Sequence, residues 1–312
     1  MIKRIAIKSF KSIRSLEFEC NRINVFIGPP NSGKSNILEA LGYLSYFLRP
    51  KDKRGWGLED FIRFDHRSDL FYDFEVANPI SICFDDYILQ VKYQENIIEE
   101  LSKQGQMVPK GDYNGTPFRY YKFKEREFFD SSFSDCLLPP NGINLFFLLL
   151  THKHLREMIM EILKPFNFSL GLRKNEKKIE ITKTIEGITI SYSYRIISDT
   201  LKRLIFHIVA IETNTNSVII FEEPEVHAFP YYTKFFAEKV ALNKNTNNQY
   251  FFSTHNPYFL MPLLQKTKDV NVYATRWHNF QTKLNLLNNE DILSYDSDIF
   301  FNLDNIVEDL NE

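Results

Sequence analysis

Along the chain the spacing of apolar residues changes several times, and each change marks an element. Apolar and polar positions alternate in residues 2–7 and again in 16–18, the two-residue period of half-exposed strands. The run Ile23-Asn24-Val25-Phe26-Ile27 is almost wholly apolar and reads as a buried strand. Beyond it Ile37, Leu38, Leu41, Leu44 and Leu48 recur at helical spacing, which predicts a helix from Lys34 to near Arg49-Pro50. A charged, glycine-containing turn over residues 51–57 follows. Short β-like runs at residues 80–84 and 87–93 come next, and with the N-terminal strands they predict an antiparallel β-layer.

From Glu95 to about Tyr194 the pattern shifts. A polar loop covers residues 104–116, an apolar helix covers 143–163 and stops before Pro165, and residues 178–182 and 187–192 pair as a hairpin. Residues 95–194 therefore read as an insertion or lid within one domain spanning 1–312. Residues 218–221 are a continuous apolar run of the kind found in central parallel strands and residues 249–253 read as a second strand, so the chain as a whole reads as α/β.

Composition narrows the class. A chain of 312 residues with 44% hydrophobic and 25% charged residues can bury a full core, and 29 Phe with 16 Tyr argue against disorder. A net charge of −2 leaves no global basic footprint, so any contact with nucleic acid has to be local. Cys20, Cys83 and Cys136 are odd in number and far apart, which fits neither a disulfide framework nor a zinc site and points to a reducing, cytoplasmic setting. The N-terminus lacks a signal-peptide core, and the apolar stretches at 145–150 and 204–211 are too short to span a bilayer, so no membrane partner is expected.

Between the buried strand and the helix lies Gly28-Pro29-Pro30-Asn31-Ser32-Gly33-Lys34-Ser35, a match to the phosphate-loop pattern GxxxxGK[ST] in its proper strand–loop–helix setting. Gly28 and Gly33 let backbone N–H groups turn inward around phosphates, and the helix N-terminus adds its positive dipole end. Lys34 would reach the β- and γ-phosphates and Ser35 would ligate Mg2+. All eight residues, with Asn36 after them, are candidate contacts for ATP or GTP.

The strand at 218–221 runs into Glu222-Glu223-Pro224-Glu225-Val226-His227, a Walker B arrangement. Phosphoryl transfer needs positioning and charge neutralisation more than covalent chemistry. Glu222 is the candidate to hold hydrated Mg2+, and Glu223 the candidate base that orients and deprotonates the attacking water. The strand at 249–253 leads to Thr254-His255-Asn256-Pro257, where His255 either contacts the γ-phosphate or packs as a capping residue.

Taken together, these segments resemble the ATP-binding-cassette type of ATPase found in SMC-like, RecF-like and overcoming-lysogenization-defect proteins, also called AAA-like ATPases. FEEPEVH is similar to that family's DEPE-x-H, and STHNP to its THSP segment. The resemblance implies a P-loop fold with an N-terminal antiparallel β-layer, ATP and Mg2+ as ligands, and a homodimer assembled head to tail around ATP. It also implies a signature segment that meets the partner's ATP, and residues 197–203 resemble its SDGT-L-R form without the glycine. Ser198 is then a cofactor contact; as plain chemistry, Ser198-Asp199 is also a good helix N-cap. Glu222 stands where the family has Asp, and Mg2+ tolerates geometric error poorly, so slow turnover is expected. Gln90 and Gln94 could serve as the Q-loop glutamine but read better as exposed strand residues.

Related proteins of the overcoming-lysogenization-defect type carry a nuclease domain after the ATPase. Only residues 261–312 follow Leu260 here, ending in an acidic stretch at 308–312, so the reading is a regulatory ATPase acting on a separate effector protein, in phage defence or DNA maintenance. A nucleotide-gated scaffold with negligible hydrolysis and a transporter's ATPase subunit are the alternatives; the missing LSGGQ argues against the latter. Residues 119–126 interleave basic and aromatic side chains, and Arg173, Lys174, Lys177, Lys178 and Lys183 decorate the later hairpin. Each is read as a solvated strand face before a nucleic-acid surface.

Overall fold

The computed structural model describes residues 1–49, 56–130, 133–244, 246–294, 299–301 and 303. Most of the turn expected at 51–57 and the acidic stretch at 308–312 lie outside the described residues.

In chain order the elements are β1 (Arg4–Phe10), β2 (Ile13–Glu19), β3 (Ile23–Ile27), α1 (Lys34–Phe47), β4 (Ile80–Phe84), β5 (Tyr87–Gln94), β6 (Asn96–Lys103), β7 (Gln106–Val108) and β8 (Phe118–Tyr121). Then come α2 (Leu145–Thr151), α3 (Lys153–Leu163), β9 (Ser169–Arg173), β10 (Lys178–Ile185), β11 (Ile188–Ser193), α4 (Asp199–Thr213), β12 (Val218–Glu222) and α5 (Pro230–Leu242). The chain closes with β13 (Gln249–Ser253), α6 (Pro257–Lys266), β14 (Val270–His278), β15 (Gln281–Leu287) and α7 (Asn289–Ser294).

A central sheet in the order β15-β14-β3-β13-β12-β8 is parallel except where β15 turns back on β14. Its strands bury both faces by alternation. Val25, Ile219, Phe221 and Phe252 join a cluster with α2–α6, while Phe26, Val218, Ile220 and Phe251 join one with α1 and the antiparallel layer. Asn24, fully buried in β3, is tolerated because its amide donates to Asn21 O at 2.8 Å and Tyr250 O at 3.2 Å.

The antiparallel layer, in the order β2-β1-β4-β5-β6-β7, confirms the N-terminal expectation. It also takes in more of the chain than the sequence suggested: β6 and β7 extend it, and β8 joins the central sheet. Of the stretch expected as an insertion at about 95–194, residues 96–103, 106–108 and 118–121 belong to the two sheets, and the part after Tyr121 carries α2, α3 and the sheet β11-β10-β9. The single helix expected over 143–163 is two. His152 is extended between them, and the Arg156 guanidinium caps Leu149 O at 2.9 Å and Leu150 O at 2.8 Å, which satisfies the carbonyls exposed at the break.

Within the basic–aromatic run at 119–126, Tyr120 and Tyr121 are buried in β8, whereas Lys122, Lys124 and Glu125 are exposed. Among the described residues no helix is long and apolar enough to cross a membrane. Gln90 and Gln94 lie exposed on β5.

Candidate functional site

The loop between β3 and α1 depends on its glycines. Gly33 caps α1 with φ +100°, and a Cβ there would stand 1.9 Å from Thr282 Oγ1; a Cβ on Gly28, at φ +154°, would stand 2.3 Å from Thr275 Oγ1. The hairpin β14–β15 therefore presses directly on the phosphate loop. Ser32 donates to Thr275 Oγ1 at 2.6 Å, Thr275 donates to Ile27 O at 2.9 Å, and Asn36 donates to Ser12 Oγ at 2.6 Å. These bonds hold Ser32 through β14 and Asn36 through the turn between β1 and β2.

Residues 30–36, together with Arg63 and Glu223, line an open pocket of about 460 Å³. Lys34 is nearly buried and its Nζ donates to Gly28 O at 2.8 Å and Pro29 O at 2.9 Å, lying back over the loop. Burial lowers its pKa, opposed by Glu223 and Glu222, so both carboxylates lie close enough to stabilise the ammonium.

Strand β12 delivers the carboxylates. Glu222 ends the strand, accepting from Arg63 Nη2 at 2.9 Å on Oε1 and from the Tyr120 hydroxyl at 3.1 Å on Oε2. Glu223 follows in the left-handed region at φ 43°, uncommon for a residue with a Cβ, and its N–H donates to Ser253 O at 3.1 Å. That turn points its side chain toward the pocket. His255 Nδ1 lies 3.4 Å from Glu223 Oε1, so the second residue after β13 and the first after β12 meet side chain to side chain.

Glu225 ties the same two loops together beneath them. It is 5% exposed, accepts from Thr254 Oγ1 at 2.5 Å and from His255 N–H at 3.4 Å, and burial pushes its carboxyl up to about 7.

Ser198 does not line this pocket. It is the N-cap of α4, accepting from Leu201 N–H at 3.4 Å, while Thr200 Oγ1 donates to His227 O at 2.6 Å and links the start of α4 to the segment after Glu225. Leu201, Leu204, Ile205 and Ile208 form the buried face of α4 as their spacing required.

Within one chain the structure thus gathers the phosphate loop, Glu222, Glu223 and His255, with Ser198 apart. Ser35 and Glu222 offer hard oxygen donors of the type Mg2+ prefers. Each Glu222 oxygen accepts one hydrogen bond and keeps a lone pair, so its carboxylate retains the capacity to bind an ion. Sequence reasoning missed Arg63, Glu39 and Tyr120. The one signal for Glu39 was a carboxylate four residues after Ser35 on a helix otherwise rich in apolar residues.

Residues 1–199 match the family model of the AAA ATPase domain, a span that includes the phosphate loop and Arg63 and ends before Glu222, Glu223 and His255. No curated protein matches the chain. Among solved structures, an SMC head bound to the C-winged helix domain of ScpA is similar with a TM-score of 0.65 at 13% identity, over 93% of this chain and 99% of that one. An SMC head domain with an extended coiled coil, derived from Pyrococcus furiosus and bound to the C-terminal domain of ScpA, gives 0.60 at 12% identity over 100% and 99%. The SMC head domain from Thermotoga maritima gives 0.51 at 14% identity over 92% and 99%. At such identities the likeness is one of fold. The chain belongs to the AAA ATPase domain family, and its fold is similar to that of SMC head domains.

Proposed function

We propose that this ATPase is a slow, Mg2+-dependent switch that dimerises around ATP and regulates a separate effector protein. In this reading the loop residues 28–35 and Asn36 hold the phosphates, and Lys34 turns from the carbonyls of Gly28 and Pro29 to the β- and γ-phosphates. Ser35 and Glu222 hold Mg2+, which supplies charge neutralisation to the phosphates. Glu223 orients and deprotonates the attacking water, and His255, beside it, donates to the γ-phosphate.

The observation that carries the reading is the meeting of Glu223 and His255 at the rim of the phosphate pocket, two residues from separate strands that a purely structural loop would have no need to bring together. Because Ser198 lies outside the chain's own pocket, its nucleotide contact has to be made across a dimer, with each Ser198 segment facing the partner's phosphate loop. A ligand that binds the closed dimer better than the open one shifts the population toward it.

A separate effector is supported by the two SMC head structures, each bound to a domain of ScpA. A reducing, cytoplasmic setting fits the three free cysteines. Phage defence or DNA maintenance is the biological setting that the family resemblance favours.

Phosphate release from ATP, measured with Mg2+ and with chelator, tests the enzyme reading. Activity should need the metal and fall about 100-fold or more in Glu223→Gln, the scale of a lost general base. Activity untouched by that change would favour the alternative of a nucleotide-gated scaffold in which Glu223 has no catalytic role.

A further inference from the structure

Away from the phosphate pocket, three of the helices over the central sheet leave a groove between them. Helices α3 and α5 both pack on α4. Met158 and Ile162 of α3, Leu204 of α4, and Tyr231 and Phe235 of α5 enclose a mostly apolar hollow of about 300 Å³. A second hollow of about 360 Å³ continues along α5 and shares Phe235 and Lys239 with the first.

The face that α5 turns to these hollows is suited to contact. Tyr231, Phe235, Lys239 and Leu242 recur at i, i+4, i+8 and i+11, a single stripe about 16 Å long. Its two ends are bare, with Tyr231 66% exposed and Leu242 65% exposed. In the turn after α3, the half-exposed Phe166 stacks on Tyr232 with ring centroids 6.4 Å apart. A continuous apolar groove with aromatic anchors at its sides is the surface of an interaction site.

The walls decide the shape of the occupant. α3, α4 and α5 satisfy their own backbone groups, so an incoming strand finds no edge to pair with, whereas a helix brings its hydrogen bonds with it. A helix lays a ridge of apolar side chains into such a groove. Charge decides the sign. Among the described residues lining the two hollows, Glu161, Glu212 and Glu238 stand against Lys239. Lys239 is drawn to Glu212 at 3.7 Å, and Lys266 reaches Glu238 from α6 at 3.7 Å, which leaves the acidic excess resting on Glu161 at the α3 rim. A second copy docked through the same face would bring two acidic rims together, so the groove suits a different chain with basic residues.

We infer that this groove takes an amphipathic helix of a separate protein, with apolar residues at i, i+3, i+4 and i+7 and lysine or arginine beside them. This deepens the reading that the chain acts on a separate effector and rests on that part of it. The same walls couple docking to the nucleotide. α4 starts from its Ser198 cap, and α5 follows on the segment from Glu222 to His227, which Thr200 Oγ1 ties to α4 by donating to His227 O at 2.6 Å. A shift of either segment when ATP closes the site moves a wall of the groove.

The test is fluorescence anisotropy of three labelled peptides, each of about 18 residues or five helical turns, with the full chain. One carries leucine and lysine at helical spacing, one leucine and glutamate at the same spacing, and one leucine and lysine in strict alternation. The helical lysine peptide should bind more tightly than either of the others. Tyr231→Ala should weaken it about 10- to 30-fold, the scale of a lost aromatic anchor, and Glu161→Lys should narrow its lead over the glutamate peptide. Both residues are exposed, so both variants keep the fold. Binding that neither change alters, equal binding of the alternating peptide, or no binding at all overturns the inference. So does a nucleotide-free mass that rises with protein concentration in the wild type but not in Tyr231→Ala, which would make a second copy the occupant. Peptide binding by a chain whose mass ignores Mg-ATP keeps the groove and removes the switch, whereas an ATP-dependent dimer that ignores the peptide keeps the switch and removes the groove.

Discussion

Replacing Glu225 by glutamine should stabilise the protein, by an amount that grows with pH. The carboxyl is 5% exposed, only Oε1 has a hydrogen-bond partner, and burial lifts it from an ordinary value of 4.5 to about 7. Its folded-state pKa is thus raised above the unfolded one. Below about pH 4.5 both states carry the proton and ionisation costs nothing. Between 4.5 and 7 the folded state binds more protons than the unfolded, so stability falls as pH rises, and above 7 the full cost of a buried carboxylate is present. A gap of about 2.5 pH units, at about 1.4 kcal/mol each, sets that cost near 3.5 kcal/mol. Glutamine keeps an oxygen to accept from Thr254 and removes the ionisation. Urea unfolding of wild type and Glu225→Gln at pH 5, 6, 7 and 8 measures the difference. It should be small at pH 5 and approach about 3.5 kcal/mol in favour of the variant at pH 8. His207, buried and held down to about 3, titrates in an overlapping range, but it is common to both proteins and cancels. A difference that stays flat from pH 5 to 8, or a variant less stable at pH 8, would refute the argument.

Two further changes probe the site at separate points. Gly33→Ala places a Cβ against Thr282 at a left-handed φ, which together should cost about 2–5 kcal/mol and abolish nucleotide binding, as checked by thermal melting and calorimetry; a stable, ATP-binding variant would contradict the close packing of β14–β15 on the loop. Ser198→Ala removes the N-cap of α4 and should cost only about 1 kcal/mol, yet prevent ATP-dependent dimerisation in light scattering while the monomer still binds ATP; intact dimerisation would reduce Ser198 to a cap.

What the sequence could reveal here was local. The phosphate loop and the Glu222-Glu223 pair are each contiguous, and β3, β12 and β13 announce themselves as mostly apolar runs. The strand β8 was hidden because Arg119 and Lys122 flank Tyr120 and Tyr121, so a buried edge strand carries the composition of a charged surface. The break at His152 escaped because nothing before the fold says that Arg156 will cap the carbonyls of α2. The missing parts of the site are long-range partnerships. Arg63 and Glu222 are 159 residues apart, and Thr275 meets Ser32 across 243. Such pairs exist only once the central sheet has brought β14, β3 and β12 together, and no periodicity encodes them.

The central claim is that ATP joins two copies of this chain and that Glu223 drives the reaction that releases them. Light scattering on Glu223→Gln, with and without Mg-ATP, tests it most directly. The chain mass of 37.0 kDa should be found alone and twice that mass with nucleotide, because binding is kept and turnover is lost. A mass that does not respond to ATP would contradict the switch and leave a constitutive assembly or a monomeric scaffold in its place.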